Sequence, residues 1–261
     1  MNDGRTAGEF PAVSVMAVQR RINSRMQTSP TLYRVNRLDL NFAPKPWTFA
    51  LERCAEIDAF FAKLQRENPA IWNGRVLLMH THAVENDVFH GSYFETDYAS
   101  LAAWGHWGRP TAAAVNDCFG AAAIMSADGA FLLGRMAPHT FNAGNIYFPA
   151  GTPEPCDIVD GKVDLEFSVR RELKEETGLD ITEFIEEPGW TAVVDNGLIV
   201  MIKLLRSTQS AVALRSCILE QLAGQTQPEF SEILIVRGPA NFDPAMPGFV
   251  TAFLAQRFVA G

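Results

Sequence analysis

Arg171, Glu172, Glu175 and Glu176 have the residue types and the spacing for cation chemistry, set in the run GKVDLEFSVRRELKEETGLD. On a helix, at about 100° per residue, the three glutamates fall within an arc of roughly 100°, and Arg171 lies one turn before Glu175 on its flank. Carboxylates at i, i+4 repel by roughly 0.2–0.5 kcal/mol, and acids in a last turn also face the negative end of the helix dipole. Arg171 neutralises one of them. A hard, oxygen-seeking ion such as Mg²⁺ or Mn²⁺ would hold the others. Taken alone, the same string also reads as a solvated, glutamate-rich helix face.

The flanking residues set the register. Leu165, Val169 and Leu173, at i, i+4 and i+8, make an apolar stripe beside the acids, so the helix can lie on a sheet with its carboxylates along the edge of the contact. Asp164 is placed to be the N-cap and Gly178 to end the helix. Upstream, Tyr147-Phe148-Pro149-Ala150-Gly151 reads as a strand end running into a glycine turn.

Arg171 to Leu179, RELKEETGL, resembles the second half of the Nudix box, whose family pattern is G-x5-E-x7-R-E-U-x-E-E-x-G-U with U aliphatic. All the specified positions of that half are present. Tyr147–Gly151 is similar to the turn before the box, which in the family commonly reads P-G-G. The first half departs from the pattern. Counted back from Arg171, the first glutamate falls on Val163 and the glycine on Asp157, so Gly151 comes early. An insertion between Thr152 and Lys162 accounts for this without disturbing the helix, and it leaves Glu154, Asp157, Asp160 or Asp164 to stand in for the missing acid.

The resemblance implies an α/β fold, a Nudix α/β/α sandwich with a mixed sheet, here with an N-terminal α+β extension. It implies metal-dependent hydrolysis of the diphosphate linkage in a nucleoside diphosphate derivative. Glu172, Glu175 and Glu176 would ligate Mg²⁺ or Mn²⁺ with the Gly151 carbonyl, and Arg171 would hold the glutamates in register. The general base would come from this helix or from Glu229 or Glu232. The N-terminal unit, including FETDYASLAAWGHWG, and the lengthened loop are similar to larger Nudix proteins of the UDP-glucose pyrophosphatase type, which points to a UDP-sugar. Two alternatives stay open. LLGRMAPHTFNAGNIYFPAG has a likeness to the coenzyme A group, so coenzyme A or NADH/ADP-ribose cleavage is one. A non-catalytic nucleotide-binding regulator is the other, favoured by the absent first glutamate and opposed by the intact E-x-x-E-E.

Other side chains carry paired readings. Arg135, at a strand end, is a phosphate-binding cation or a surface charge. Trp190, Phe141 and Tyr147 stack on a base or pack in the core. His80 and His82 share a strand face but lack a third ligand nearby, which makes them structural.

Composition narrows the partners. The chain has 261 residues, 48% hydrophobic and 20% charged, and a net charge of −8, which disfavours polymeric nucleic acid and anionic membranes and leaves small phosphorylated molecules. Cys54, Cys118, Cys156 and Cys217 are scattered, as expected of free thiols in a reducing compartment. No apolar leader or long apolar span is visible, so the expected location is the cytoplasm; oligomeric state cannot be read.

Periodicity places strands at 13–18, 33–40 and 76–79, a helix between Pro46 and Asn68 and another over 98–106. The later pattern is a hairpin of 120–125 and 131–135 around Asp128-Gly129, a strand pair of 190–194 and 198–205, a helix over 209–222, a strand over 232–236 and a last helix over 247–258. The division expected is an extension over 1–110 and a Nudix hydrolase domain over 111–261, with the resemblance covering about 115–239.

Overall fold

The computed structural model describes residues 29–260, and the strand expected at 13–18 lies outside them. The chain opens with β1 (Thr31–Val35) and β2 (Arg37–Phe42), the helices α1 (Thr48–Glu52) and α2 (Cys54–Glu67), β3 (Arg75–Glu85), β4 (Val88–Asp97) and α3 (Tyr98–His106). Then come β5 (Asp117–Met125), β6 (Phe131–Met136), β7 (Ile146–Tyr147), β8 (Ala150–Gly151), β9 (Ile158–Val159), β10 (Lys162–Val163) and α4 (Leu165–Thr177). The last elements are β11 (Ile185–Glu186), β12 (Trp190–Asp195), β13 (Leu198–Arg206), α5 (Ala211–Ala223), β14 (Phe230–Val236) and α6 (Gly248–Ala260).

Two mixed sheets result. The larger has nine strands on the path β1-β12-β13-β5-β6-β14, with β11 on β13, β7 on β6 and β8 on β5; β13 and β5 are parallel. Alternation along β5 separates its helices. Gly120 faces α4, where an added Cβ would meet Val169 at 2.5 Å, and Phe119 faces the other side and meets Phe249 of α6 edge-on at 6.0 Å. On the α4 side, Gly178 at the end of that helix packs against Gln221 of α5. The sheet therefore lies between an α4/α5 layer and α6.

The smaller sheet runs β3-β4-β2-β10-β9 and is likewise sorted by alternation. Val76 and Leu78 join Trp47, Phe94 and Trp104 under the N-terminal helices, whereas Leu77 and Met79 join the core of the larger sheet. The sheets are stitched at their backbones: Met79 and Asn116 exchange hydrogen bonds at 3.0 and 2.7 Å, and the Leu77 amide donates to the Pro153 carbonyl at 2.7 Å.

Several expectations shift for identifiable reasons. The strand read over 33–40 is broken at Asn36, whose amide donates to Asp87, so β1 joins the larger sheet and β2 the smaller. The helix between Pro46 and Asn68 is interrupted at Arg53, where φ is −111° and ψ 18°. Strand β4 was not foreseen; it follows a turn at Asn86-Asp87 in which both residues have positive φ, as a tight hairpin requires. Pairing crosses the division at residue 110 in both directions, because β1 sits beside β12 and the short β9–β10 hairpin, between Thr152 and Lys162 and its neighbour, adds to β2. Among the described residues no helix is long and apolar enough to cross a membrane.

Gly134 tests the packing of the larger sheet, because a Cβ there would lie 2.2 Å from the ring of buried Phe230. We expect Gly134→Ala to destabilise the fold by roughly 1–3 kcal/mol, the usual cost of overpacking, and Phe230→Leu to recover part of the loss. Thermal melting of the single and double variants measures both.

Candidate active site

Helix α4 is held at both ends and along one face. Asp164 caps it by accepting from the Phe167 amide at 2.9 Å, and Gly178 closes it with φ at 74°. Leu165, Val169 and Leu173 are buried against the sheet, which turns the acids toward the β8 turn. Glu176, 2% exposed, accepts from the Ala150 amide at 2.8 Å. Glu172 is pressed on Gly151, where an added Cβ would run into its carboxylate and push that group away from the turn. Glu175, its side chain 58% exposed, reaches outward.

Burial is the first cause of the unusual proton affinities here, and mutual repulsion adds to it. The Glu172 carboxyl is pushed up from 4.5 to about 7 by burial, partly offset by Arg171 and reinforced by Glu175 and Glu229. Glu176 rises well above its ordinary value from burial, then from Glu172 and Glu229. Glu229 rises from burial and from Glu175. The structure therefore gathers Glu172, Glu175, Glu176 and Glu229 around one strand turn.

Arg171 is the cation among them. Its terminal nitrogens lie 2.8 Å from Glu172, 3.5 Å from Glu175 and 3.2 Å from Asp157, and its Nε has no partner among the described residues. Of the four acids offered by the loop, Asp157 is the one that meets Arg171. Asp164 is the cap, and Asp160 occupies a left-handed turn position.

The remaining candidates are placed as follows. Arg135 and Glu232 are register partners that neutralise each other at 2.8 Å, and Arg135 also faces Asp243 at 3.6 Å. Glu232 lies inside β14, not before it. Trp190, 4% exposed, packs in the core beneath Lys203 and has no open ring face for a base. Tyr147 is buried against Phe249. Phe141 is exposed and meets Tyr98 of α3 edge-on at 6.0 Å. His82 stacks on Phe89, and a register shift in β3 between Met79 and Thr81 falls at His80.

Asp117 escaped the sequence reading. It opens β5, accepts from Thr152 beside Gly151 at 3.3 Å, and is raised from 3.8 to about 6 by burial against the pull of Arg109 and Thr152. The available signal was a carboxylate at the head of an apolar strand.

A sheet between helical layers, with an acid-bearing helix laid against one strand turn, makes an α/β/α sandwich. Residues 116–233 match the NUDIX domain. The solved structures similar to the chain include a Nudix hydrolase, RenU, from M. smegmatis (16% identity, 55% of this chain and 83% of that one, TM-score 0.36). A MutT protein from Methanosarcina mazei Go1 (18%, 56% and 94%, 0.37) and a NUDIX hydrolase from Nitrosomonas europaea (17%, 56% and 90%, 0.34) are others. No curated protein is similar to the chain in sequence. Residues 116–233 of the chain thus form a NUDIX domain. That domain supports a pyrophosphohydrolase of nucleoside diphosphate derivatives in general, and Nudix hydrolases generally use divalent metals.

The donor set fits such an ion. All the donors are oxygens, and the buried carboxylates repel one another in a way that a divalent charge would reverse. Among the described residues no three His, Cys, Asp or Glu groups already stand as a ready-made cage. Arg171 meanwhile holds Glu172 and Glu175.

The raised proton affinities have a sign that melting can read. Glu172 and Asp117 bind a proton more tightly folded than unfolded, so their contribution is fullest below their ordinary values and is lost as pH climbs toward about 7 and about 6. In EDTA, the melting temperature should fall as pH rises through that window, and Glu172→Gln should flatten the slope. A melting temperature that rises across it would contradict the assignment.

Proposed function

We propose that the chain hydrolyses the bond between the two phosphates of a nucleoside diphosphate derivative, with a UDP-sugar as the preferred substrate and Mg²⁺ or Mn²⁺ as the cofactor. The observation that carries the reading is the set of mutually repelling carboxylates of Glu172, Glu176 and Glu229 at one strand turn, with Arg171 paired to Glu172 beside them. Glu172, Glu175 and Glu176 would hold the divalent ion together with the Gly151 carbonyl. When bound, that ion supplies charge neutralisation at the phosphates and a water of lowered proton affinity.

The chain's own groups do the rest. Gly151 lets the Glu172 carboxylate lie against the backbone, and the Ala150 amide fixes one oxygen of Glu176, so two acids are aimed before any substrate arrives. Glu229, raised by burial and by Glu175, is the group proposed to take the proton from the attacking water. Phe141 offers an open ring face to a base. Arg135 and Glu232, bound to each other, would serve phosphate or proton only by parting, so they are proposed as the frame of the cleft. The N-terminal unit supports a substrate with a distal group, because Tyr98 of α3 backs Phe141 and Asn68 after α2 holds the His139 carbonyl of the same loop.

Chelation by EDTA should abolish turnover, and Mg²⁺ or Mn²⁺ should restore it; full activity in metal-free buffer would remove the mechanism. Glu175→Gln and Glu176→Gln keep shape and hydrogen bonding, and each should lower kcat on the order of a hundredfold or more, as loss of transition-state charge stabilisation does. Unchanged turnover in both would return α4 to a solvated face.

Product analysis checks the substrate class across nucleotide sugars, ADP-ribose, NADH and coenzyme A. UMP with a sugar 1-phosphate is the expected pair. Inorganic phosphate would indicate a different bond, and turnover of coenzyme A alone would reassign the substrate.

A further inference from the structure

The loop between Gly151 and α4 does more than lengthen the connection. It folds into the β9–β10 hairpin, and β10 pairs with β2 of the N-terminal sheet at Lys162 and Asn41. Lys162 Nζ sits 2.6 Å from Asp39 and 2.7 Å from Asn41, and the Phe42 amide donates to Gly161 at 2.9 Å. The root of this hairpin is Asp157, 0% exposed. Its backbone carbonyl accepts from the Asp164 amide at 2.8 Å, and one carboxylate oxygen accepts from the Glu154 amide at 2.7 Å. The same oxygen faces Arg171 Nη2 at 3.2 Å.

We propose that Asp157 is a positioning residue for the cation site, holding Arg171 so that its guanidinium is shared between the loop and the helix instead of closing fully on Glu172 and Glu175. This rests on the assignment of those glutamates as ligands. A buried carboxylate must be paired, and here the pair is fixed by two backbone contacts that do not depend on the helix acids. With Asp157 in place, one terminal nitrogen of Arg171 is committed to the loop, and only the other leans on Glu172 and Glu175. Without its charge, both nitrogens are free to pair with the glutamates, and any incoming cation must compete with them. The hairpin's pairing with β2 makes the N-terminal sheet part of the frame that sets Arg171.

Asp157→Asn isolates the charge, since asparagine has the same size and can still accept from the Glu154 amide. The measurement is Mn²⁺ binding by titration calorimetry on the full chain, in a double-mutant cycle with Arg171→Gln. Asp157→Asn alone should weaken Mn²⁺ by roughly tenfold, as loss of a group that orients a metal ligand does, and should weaken it less than about twofold when Arg171 is already Gln. Equal losses in both backgrounds, or unchanged affinity in the first, would overturn the proposal. If the asparagine variant does not fold, Asp157→Ser, which can also accept from the Glu154 amide, takes its place in the cycle. Wild-type protein that binds no Mn²⁺ and cleaves no diphosphate would fail the ligand assignment itself, a result distinct from a bound Mn²⁺ that is indifferent to Asp157.

Discussion

One half-buried guanidinium sets the conditions for the rest. Arg171 lies where a helix, a strand turn and a long loop converge, and it is asked to pair with carboxylates from two of them. A charge taken out of water is stable only with partners in good geometry, so the loop must bring Asp157 in and the helix must turn Glu172 back. Even then the accounts of charge do not balance. Glu176 and Glu229 have no ion pair among the described residues, and burial raises both. The residual repulsion is what a divalent ion at the proposed site would relieve.

The two sheets share that constraint. Because side chains alternate along β3, the smaller sheet has one face for its own helices and one for the larger core, and Leu77 and Met79 are as buried as any residue of β5. Tyr93 of β4 adds a hydrogen bond to the Cys118 carbonyl at 3.1 Å. The N-terminal strands are thus packed and bonded to the strand that carries Asp117. Removing them would uncover apolar surface beside the site, so their length is not idle decoration.

What could be read from sequence follows the range of the interactions. Helix α4 was legible because its stripe, its cap and its terminal glycine lie within one segment and agree. The α3 helix was legible for the same reason, with Asp97 capping it through the Ser100 amide at 2.8 Å. Strand β4 was not, since Gly91 and the polar residues around it blur the alternation, and Gly91 is there to leave room for Met79 and Leu40. The β9–β10 hairpin has two residues per strand and no pattern at all, and its partner is β2, more than a hundred residues earlier in the chain. Distance hid the choice of Asp157 over its neighbours, as it hid the pairing of Arg135 with Glu232. Local chemistry announced the acids; only the tertiary pairing says which of them are already spent on each other.

On the proposed function, recognition of the rest of a substrate falls to a different part of the chain from bond cleavage. The loop between β6 and β7 carries His139, Phe141 and Asn142. It is tied at its start, where the Ala137 amide donates to the Glu229 carbonyl at 2.7 Å, and again where Asn68 holds the His139 carbonyl. The backbone of the proposed base and the end of α2 therefore grip the same short loop from two sides. The loop that carries Phe141 is thus backbone-bonded to Glu229 and held by Asn68, which places the exposed ring and the proposed base on one framework. The second sheet and its helices thereby reach the site through this loop as well as through the β9–β10 hairpin.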